Sequence, residues 1–163
     1  MKDKTIKILT LGLPSCGILA MVLYSLTSGG WIYILQSLSI YFLIGGASLV
    51  LGGLIGFLFG IPKINNSNLS SNKYKANTNL EQTSDWLSKV LIGVGLTQIS
   101  EITKWIGDIS RYVAKDMTAI GNESPFIASI IIYFLVCGFI IGYLATRIIL
   151  PKVLVESERV EKE

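Results

Sequence analysis

Residues 32–61 read IYILQSLSIYFLIGGASLVLGGLIGFLFGI, thirty positions without one Asp, Glu, Lys or Arg. A helix needs ~20 apolar residues to cross a ~30 Å hydrocarbon layer, and a run of this length is too long for a strand or an ordinary core helix. Two further runs, roughly Ile8–Leu26 and Phe126–Leu150, share its character. The expected class is therefore an all-α membrane protein, a single membrane domain over 1–163 with three transmembrane helices at 6–26, 32–61 and 125–150.

The decisive run also carries Ser48, Gly52, Gly56 and Gly60 at strict four-residue spacing, with Gly45, Gly46, Ala47 and Gly53 beside them. One helix face is thus almost bare of side chains. Two backbones can approach there, and in lipid such close van der Waals packing is a main source of helix association. A shorter version, Gly138 and Gly142 with Thr146, lies on the last run. We read these residues as helix-packing positions of a glycine zipper. The spacing leaves open whether the partner helix belongs to the same chain or to another copy.

Composition narrows the function classes. Hydrophobic residues make up 51% of the chain and charged ones 15%, which argues against a soluble domain. The absence of histidine removes the commonest general base and the commonest transition-metal ligand together. Cys16 and Cys137 both fall inside apolar runs, where they behave as small hydrophobes. Enzyme chemistry, cofactors and metals are not expected. A net charge of +3, spread along the chain, does not suggest nucleic acid as a partner. Leu13-Pro14-Ser15-Cys16 is similar to the end of a lipoprotein signal, but the apolar run continues beyond Cys16, so we read an uncleaved helix kinked at Pro14.

Position decides what the charges mean. Lys2, Lys4 and Lys7 precede the first run; Lys63, Lys73 and Lys75 follow the second; Arg147, Lys152, Arg159 and Lys162 mark the C-terminus. The positive-inside rule makes all three groups cytoplasmic, with Asn65–Thr78 inside a cytoplasmic linker at 62–78 and a cytoplasmic tail at 151–163. Three crossings cannot return both termini to one side. A fourth, at 86–106, would restore parity.

The segment 79–118 is amphipathic at helical period. Val90, Leu91, Val94, Ile99, Ile102, Trp105, Ile106 and Ile109 fall mainly on one side, and Asp85, Lys89, Gly93, Thr97, Ser100, Lys104 and Asp108 on another. Thr78 with Glu81 offers a capping box. On an insertion scale a charge at the helix centre costs ~2.5–3.5 kcal/mol, against ~0.3–0.6 kcal/mol gained per aliphatic residue, so Lys89, Glu101 and Lys104 forbid a lone crossing in lipid. Either the polar stripe turns toward other helices or water, or the helix lies on the cytoplasmic surface. Glu101 and Lys104 stand at i,i+3 and can neutralise one another.

Gly56-Phe57-Leu58-Phe59-Gly60-Ile61-Pro62, Asn77-Thr78-Asn79-Leu80-Glu81-Gln82-Thr83-Ser84-Asp85-Trp86-Leu87, and Tyr133 through Arg147 together resemble an uncharacterised group of small bacterial multi-pass inner-membrane proteins. The resemblance spans roughly residues 50–150. It implies a bacterial inner-membrane setting and carries over no activity, cofactor or catalytic residue.

Two functions remain in view. In the first, copies associate through the Ser48–Gly60 face into a homo-oligomer whose 79–118 helix lines a pore, with Lys89, Thr97, Gln98, Glu101 and Lys104 along the path. In the second, a non-conducting anchor or adaptor recruits a protein partner through the same helix. Membrane lipid is a partner in both.

Overall fold

The structure is a computed structural model that describes residues 2–27, 29–61, 78–115, 117 and 123–160. Among these the chain is helical throughout, in the order α1 (Lys2–Ser25), α2 (Trp31–Gly60), α3 (Thr78–Thr97), α4 (Ile99–Lys115) and α5 (Ser124–Val160). Two stretches are long and apolar enough to cross a membrane, Trp31–Gly60 and Ser124–Ile148. A shorter apolar stretch, Thr10–Ser25, lies in α1. The expectation of three such helices is thus met by two. The linker at 62–78 lies outside the described residues except for Thr78.

The α2–α5 pair is the axis of the fold. Ser48, Gly52, Gly56 and Gly60 are all buried along one face of α2. A Cβ added at Gly52 would overlap the Leu135 carbonyl oxygen, and one at Gly56 the Phe139 carbonyl oxygen. The contact is reciprocal: Gly138 lies against the Leu49 carbonyl and Gly142 against Gly53. At the far end of the seam Gly60 sits 2.8 Å, measured from an ideal Cβ, from the Thr146 Cβ. These helices therefore meet backbone to backbone, a proximity no larger residue allows. The face that could have joined two copies is covered by α5 of the same chain.

Side chains take over at the other end of the pair. Met21, Tyr41, Met117, Ile127, Ile130 and Phe134 form the buried cluster, so that α1, α2, α4 and α5 all converge there. Tyr24 stacks on Phe126 at 3.8 Å between ring centroids, and Tyr41 meets the same ring edge-on at 5.2 Å. Lower on α1, the Tyr133 hydroxyl donates to the Leu13 carbonyl oxygen at 2.6 Å. That bond ties α5 to α1 beside Pro14, which α1 retains within its length.

Two local expectations are corrected. The segment 79–118 is not one helix but two, interrupted at Gln98. Backbone bonds from Gln98 N–H to Val94 and from Ile102 N–H to Gln98 continue across the break. Thr97 Oγ1 meanwhile donates back to the Gly93 and Val94 carbonyls, a bond that bends helices and acts here on a turn softened by Gly93 and Gly95. At the C-terminal end α5 runs through Pro151 to Val160, although proline forfeits a backbone donor there.

The seam makes a contrast between glycines. Replacing Gly52 or Gly138 by alanine is expected to lower stability by about 1–3 kcal/mol, since the overlap is with backbone that side-chain rotation cannot relieve. Gly46 has nothing within 4 Å of an added Cβ, so Gly46→Ala is expected to be neutral or to add up to ~1 kcal/mol. Thermal unfolding followed by circular dichroism of the purified variants reads the difference.

Candidate functional site

The α3–α4 pair forms an arm whose two ends are fastened at opposite ends of the α2–α5 axis. At its start Ser84 is buried, and its hydroxyl donates to the Leu58 carbonyl oxygen in the last turns of α2. At its finish Val113 and Ala114 pack on the cluster around Tyr41 and Ile127. Tyr41 and Leu58 lie about 26 Å apart along α2 at ~1.5 Å per helical residue. The arm from Ser84 to Val113 has a contour of about 43 Å on the same measure, so it must bow or bend between its anchors. The break at Gln98 falls within that excess.

Between the anchors the arm is poorly covered. Val90, Leu91, Ile92, Val94, Leu96, Ile99 and Ile102 are all exposed, as are Trp86, Trp105 and Tyr112. Gly93, Gly95 and Gly107 face open space. The arm's middle therefore touches little of its own chain.

Its polar residues are arranged as local pairs. Lys89 Nζ lies 2.6 Å from Asp85, one turn earlier. Lys104 Nζ donates to Glu101 Oε1 at 2.7 Å. Arg111 pairs with Asp108 in the same manner nearer the far anchor. Thr97 spends its hydroxyl on its own helix, and Gln98 is exposed at the break. Of the five sequence candidates the structure thus joins Glu101 with Lys104 and leaves Lys89, Thr97 and Gln98 separate along the arm. The stretch Val90–Ser100 holds no charge at all.

Elsewhere two grooves open between α1 and α5. The larger, of about 430 Å³, is lined by Leu13, Ser129, Tyr133 and Cys137 among aliphatic residues. The smaller, of about 230 Å³, adjoins Cys16, Gly17 and Phe134. Both are almost wholly apolar. Among the described residues no group of three or more Cys, Asp or Glu side chains is placed to hold a metal ion.

Sequence reasoning missed the most unusual group in the molecule. Glu123 is only 2% exposed, and neither carboxyl oxygen has a hydrogen-bond partner among the described residues. Burial pushes its carboxyl above the ordinary carboxylate value, while the neighbouring Tyr41 hydroxyl opposes the rise. That hydroxyl faces the carboxyl without closing a bond of acceptable geometry, so the two are neighbours rather than a bonded pair. Glu123 also contributes the carbonyl that accepts the Ile127 N–H, the first bond of α5. Its one sequence signal was its place immediately before Ser124-Pro125 and an apolar run.

Comparison of the chain with protein-family models, curated proteins and solved structures finds no match. The fold and the arm therefore define only a class: an α-helical bundle with two helices apolar enough to cross a membrane.

The local pairs are expected to matter little to folding. With both partners mostly in contact with solvent, Lys104→Met or Glu101→Gln should shift stability by no more than ~0.5 kcal/mol. Chemical denaturation of the two variants and the parent checks this.

Proposed function

We propose that the chain is an integral membrane protein that crosses the bilayer four times and assembles into a homo-oligomer whose α3–α4 arms line an ion-conducting path. The observation that carries this reading is the arm's attachment at both ends of the α2–α5 axis. The arm's span of about 26 Å between anchors is close to the ~30 Å of a hydrocarbon core.

The outer surface supports the membrane setting. Only 22% and 28% of the apolar windows of α2 and α5 are buried, whereas the core helix of a soluble protein would be mostly covered. Ile32, Phe42, Leu43, Val50 and Leu54 on α2 are all more than half exposed. A soluble monomer rarely presents so large a continuous apolar surface. In lipid that surface needs no cover.

Orientation follows the charges. The α1 N-terminus, the α2 C-terminus and the α5 C-terminal half share one end of the bundle, and each adjoins a group of lysines or arginines. That end is the cytoplasmic one under the positive-inside rule. The resemblance to small bacterial inner-membrane proteins supports a bacterial inner membrane as the setting.

In this reading copies associate through the arms, since α5 occupies the small face of α2. An arm with Glu101 and Lys104 neutralising each other carries no net charge into the membrane between Lys89 and Asp108. Facing its neighbours around an axis, that stretch offers Thr97, Gln98 and the Glu101–Lys104 pair as a polar strip.

A second reading is favoured by the same pairing. Lys89, Glu101 and Lys104 are each answered within the arm, which suits an anchored, non-conducting adaptor whose exposed arm recruits a protein partner.

Two measurements separate these readings. A single cysteine at Tyr112, which is 76% exposed, in a chain lacking Cys16 and Cys137 should react with an impermeant maleimide from outside intact cells. Reaction only after lysis would put α4 on the inner face and end the four-crossing scheme. In a reconstituted bilayer the parent chain should conduct, and joint replacement of Lys89 and Lys104 by leucine should lower the unitary conductance severalfold. An unchanged conductance would remove the arm from the path, and no conductance in the parent would leave the adaptor.

A further inference from the structure

Glu123 lies beside Tyr41, a member of the cluster in which α1, α2, α4 and α5 meet. The Tyr24–Phe126 stack brings in α1, Tyr41 brings in α2, Val113 and Ala114 bring in α4, and Glu123 itself opens α5. A carboxylate taken out of water and left without a counter-charge or hydrogen bonds is among the costliest groups to bury. The neutral acid is far cheaper to bury.

Among the described residues none of the ion pairs involves Glu123. From α1 the titratable group at this junction is Tyr24, and from α2 it is Tyr41, with Ser37 close by. On α4, Asp108 and Arg111 are spent on each other at the surface and Lys115 is exposed, while the buried side chain is Ser110. On α5 the first charged residue after Glu123 is Arg147, at the opposite end of the bundle, where it bonds Tyr143. Among the described residues, only hydroxyls and apolar groups face the carboxyl.

We infer that Glu123 is a proton-binding site that controls the docking of α4 on the start of α5. With its proton, the side chain fits the closed junction. Once the proton has left to water, the resulting carboxylate draws water in, and the α4 end of the arm comes away from α5. No bond other than the O–H bond of the carboxyl is made or broken. The inference goes beyond conduction and does not require it, since it concerns only the junction of α4 with the bundle.

The direction with pH follows from burial. A carboxyl that holds its proton more tightly when docked stabilises the docked state fully in acid. That stabilisation is lost as pH rises from the ordinary carboxylate value of 4.5 through the raised one.

Ser110 is the natural reporter, because it lies on α4 and is fully buried. The full chain lacking Cys16 and Cys137 would carry Ser110→Cys, and maleimide labelling would be followed across a pH series. Dividing by the labelling of Tyr112→Cys, exposed on the same helix, removes the reagent's own pH dependence. The ratio is expected to rise about tenfold on going from acid to alkaline conditions, spread over one to two pH units as for a single titrating group. Adding Glu123→Gln should hold the ratio at its acid value throughout. Tyr41→Phe removes the hydroxyl that opposes the upward shift, so it should move the rise to higher pH. A flat ratio in the chain with Glu123 intact overturns the inference, as does a rise that survives Glu123→Gln. If Glu123→Gln is labelled at every pH because the junction fails to form, Tyr41→Phe decides: a displaced rise supports the site, and an undisplaced one overturns it.

Discussion

Everything in this bundle depends on α2 and α5 lying closer together than side chains permit. Gly52 and Gly56 on one helix and Gly138 and Gly142 on the other put carbonyl oxygens where a β-carbon would have to be. At such a distance dispersion acts between whole backbones, and the attraction is summed over several turns rather than concentrated in one contact. It costs little side-chain entropy, because glycine and serine have few or no rotamers to lose. The axis so made is rigid enough for the other helices to be placed by reference to it.

The remaining helices are held differently. The hairpin partner α1 relies on rings, Tyr24 against Phe126 and Tyr41, and on the Tyr133 hydroxyl reaching the Leu13 carbonyl. The arm is tied by the Ser84 hydroxyl at one end and by Val113 and Ala114 at the other. Between those ties most of its large apolar side chains are exposed, and its charges are paired within the arm. A tight axis with a loosely covered arm separates stability from adaptability: the first resides in the seam, the second in α3 and α4.

How much of this was readable beforehand varied by element. The extents of α2 and the apolar part of α5 follow directly from run length, because an uncharged stretch of that size has few alternatives. That Ser48–Gly60 made a face open to close approach was legible; that its occupant would be α5 was not, since spacing describes a surface and never its partner. The break at Gln98 escaped because Val94, Gln98 and Ile102 keep helical hydrogen bonds across it, so the periodicity continues while the Thr97 hydroxyl bends the turn. Pro151 looked like an end and is not one. The site was less legible than the fold. Lys104 with Glu101 was foreseeable from i,i+3 spacing. The burial of Glu123 was not, because it depends on packing that brings Tyr41, far away in the chain, beside the carboxyl.

The seam also sets an order of events during synthesis. Its two halves are separated by the whole of α3 and α4, so Gly60 leaves the ribosome well before Gly138 exists. At ~5–20 residues per second the wait is roughly 4–16 s, far longer than the time a helix takes to form. For that interval the bare face of α2 is complete and without its proper mate, and any other nascent chain with a small-residue stripe is a competitor for it. The fidelity of assembly in this protein is therefore decided by timing as well as by shape, and a pause in translation between the two helices would lengthen the exposure.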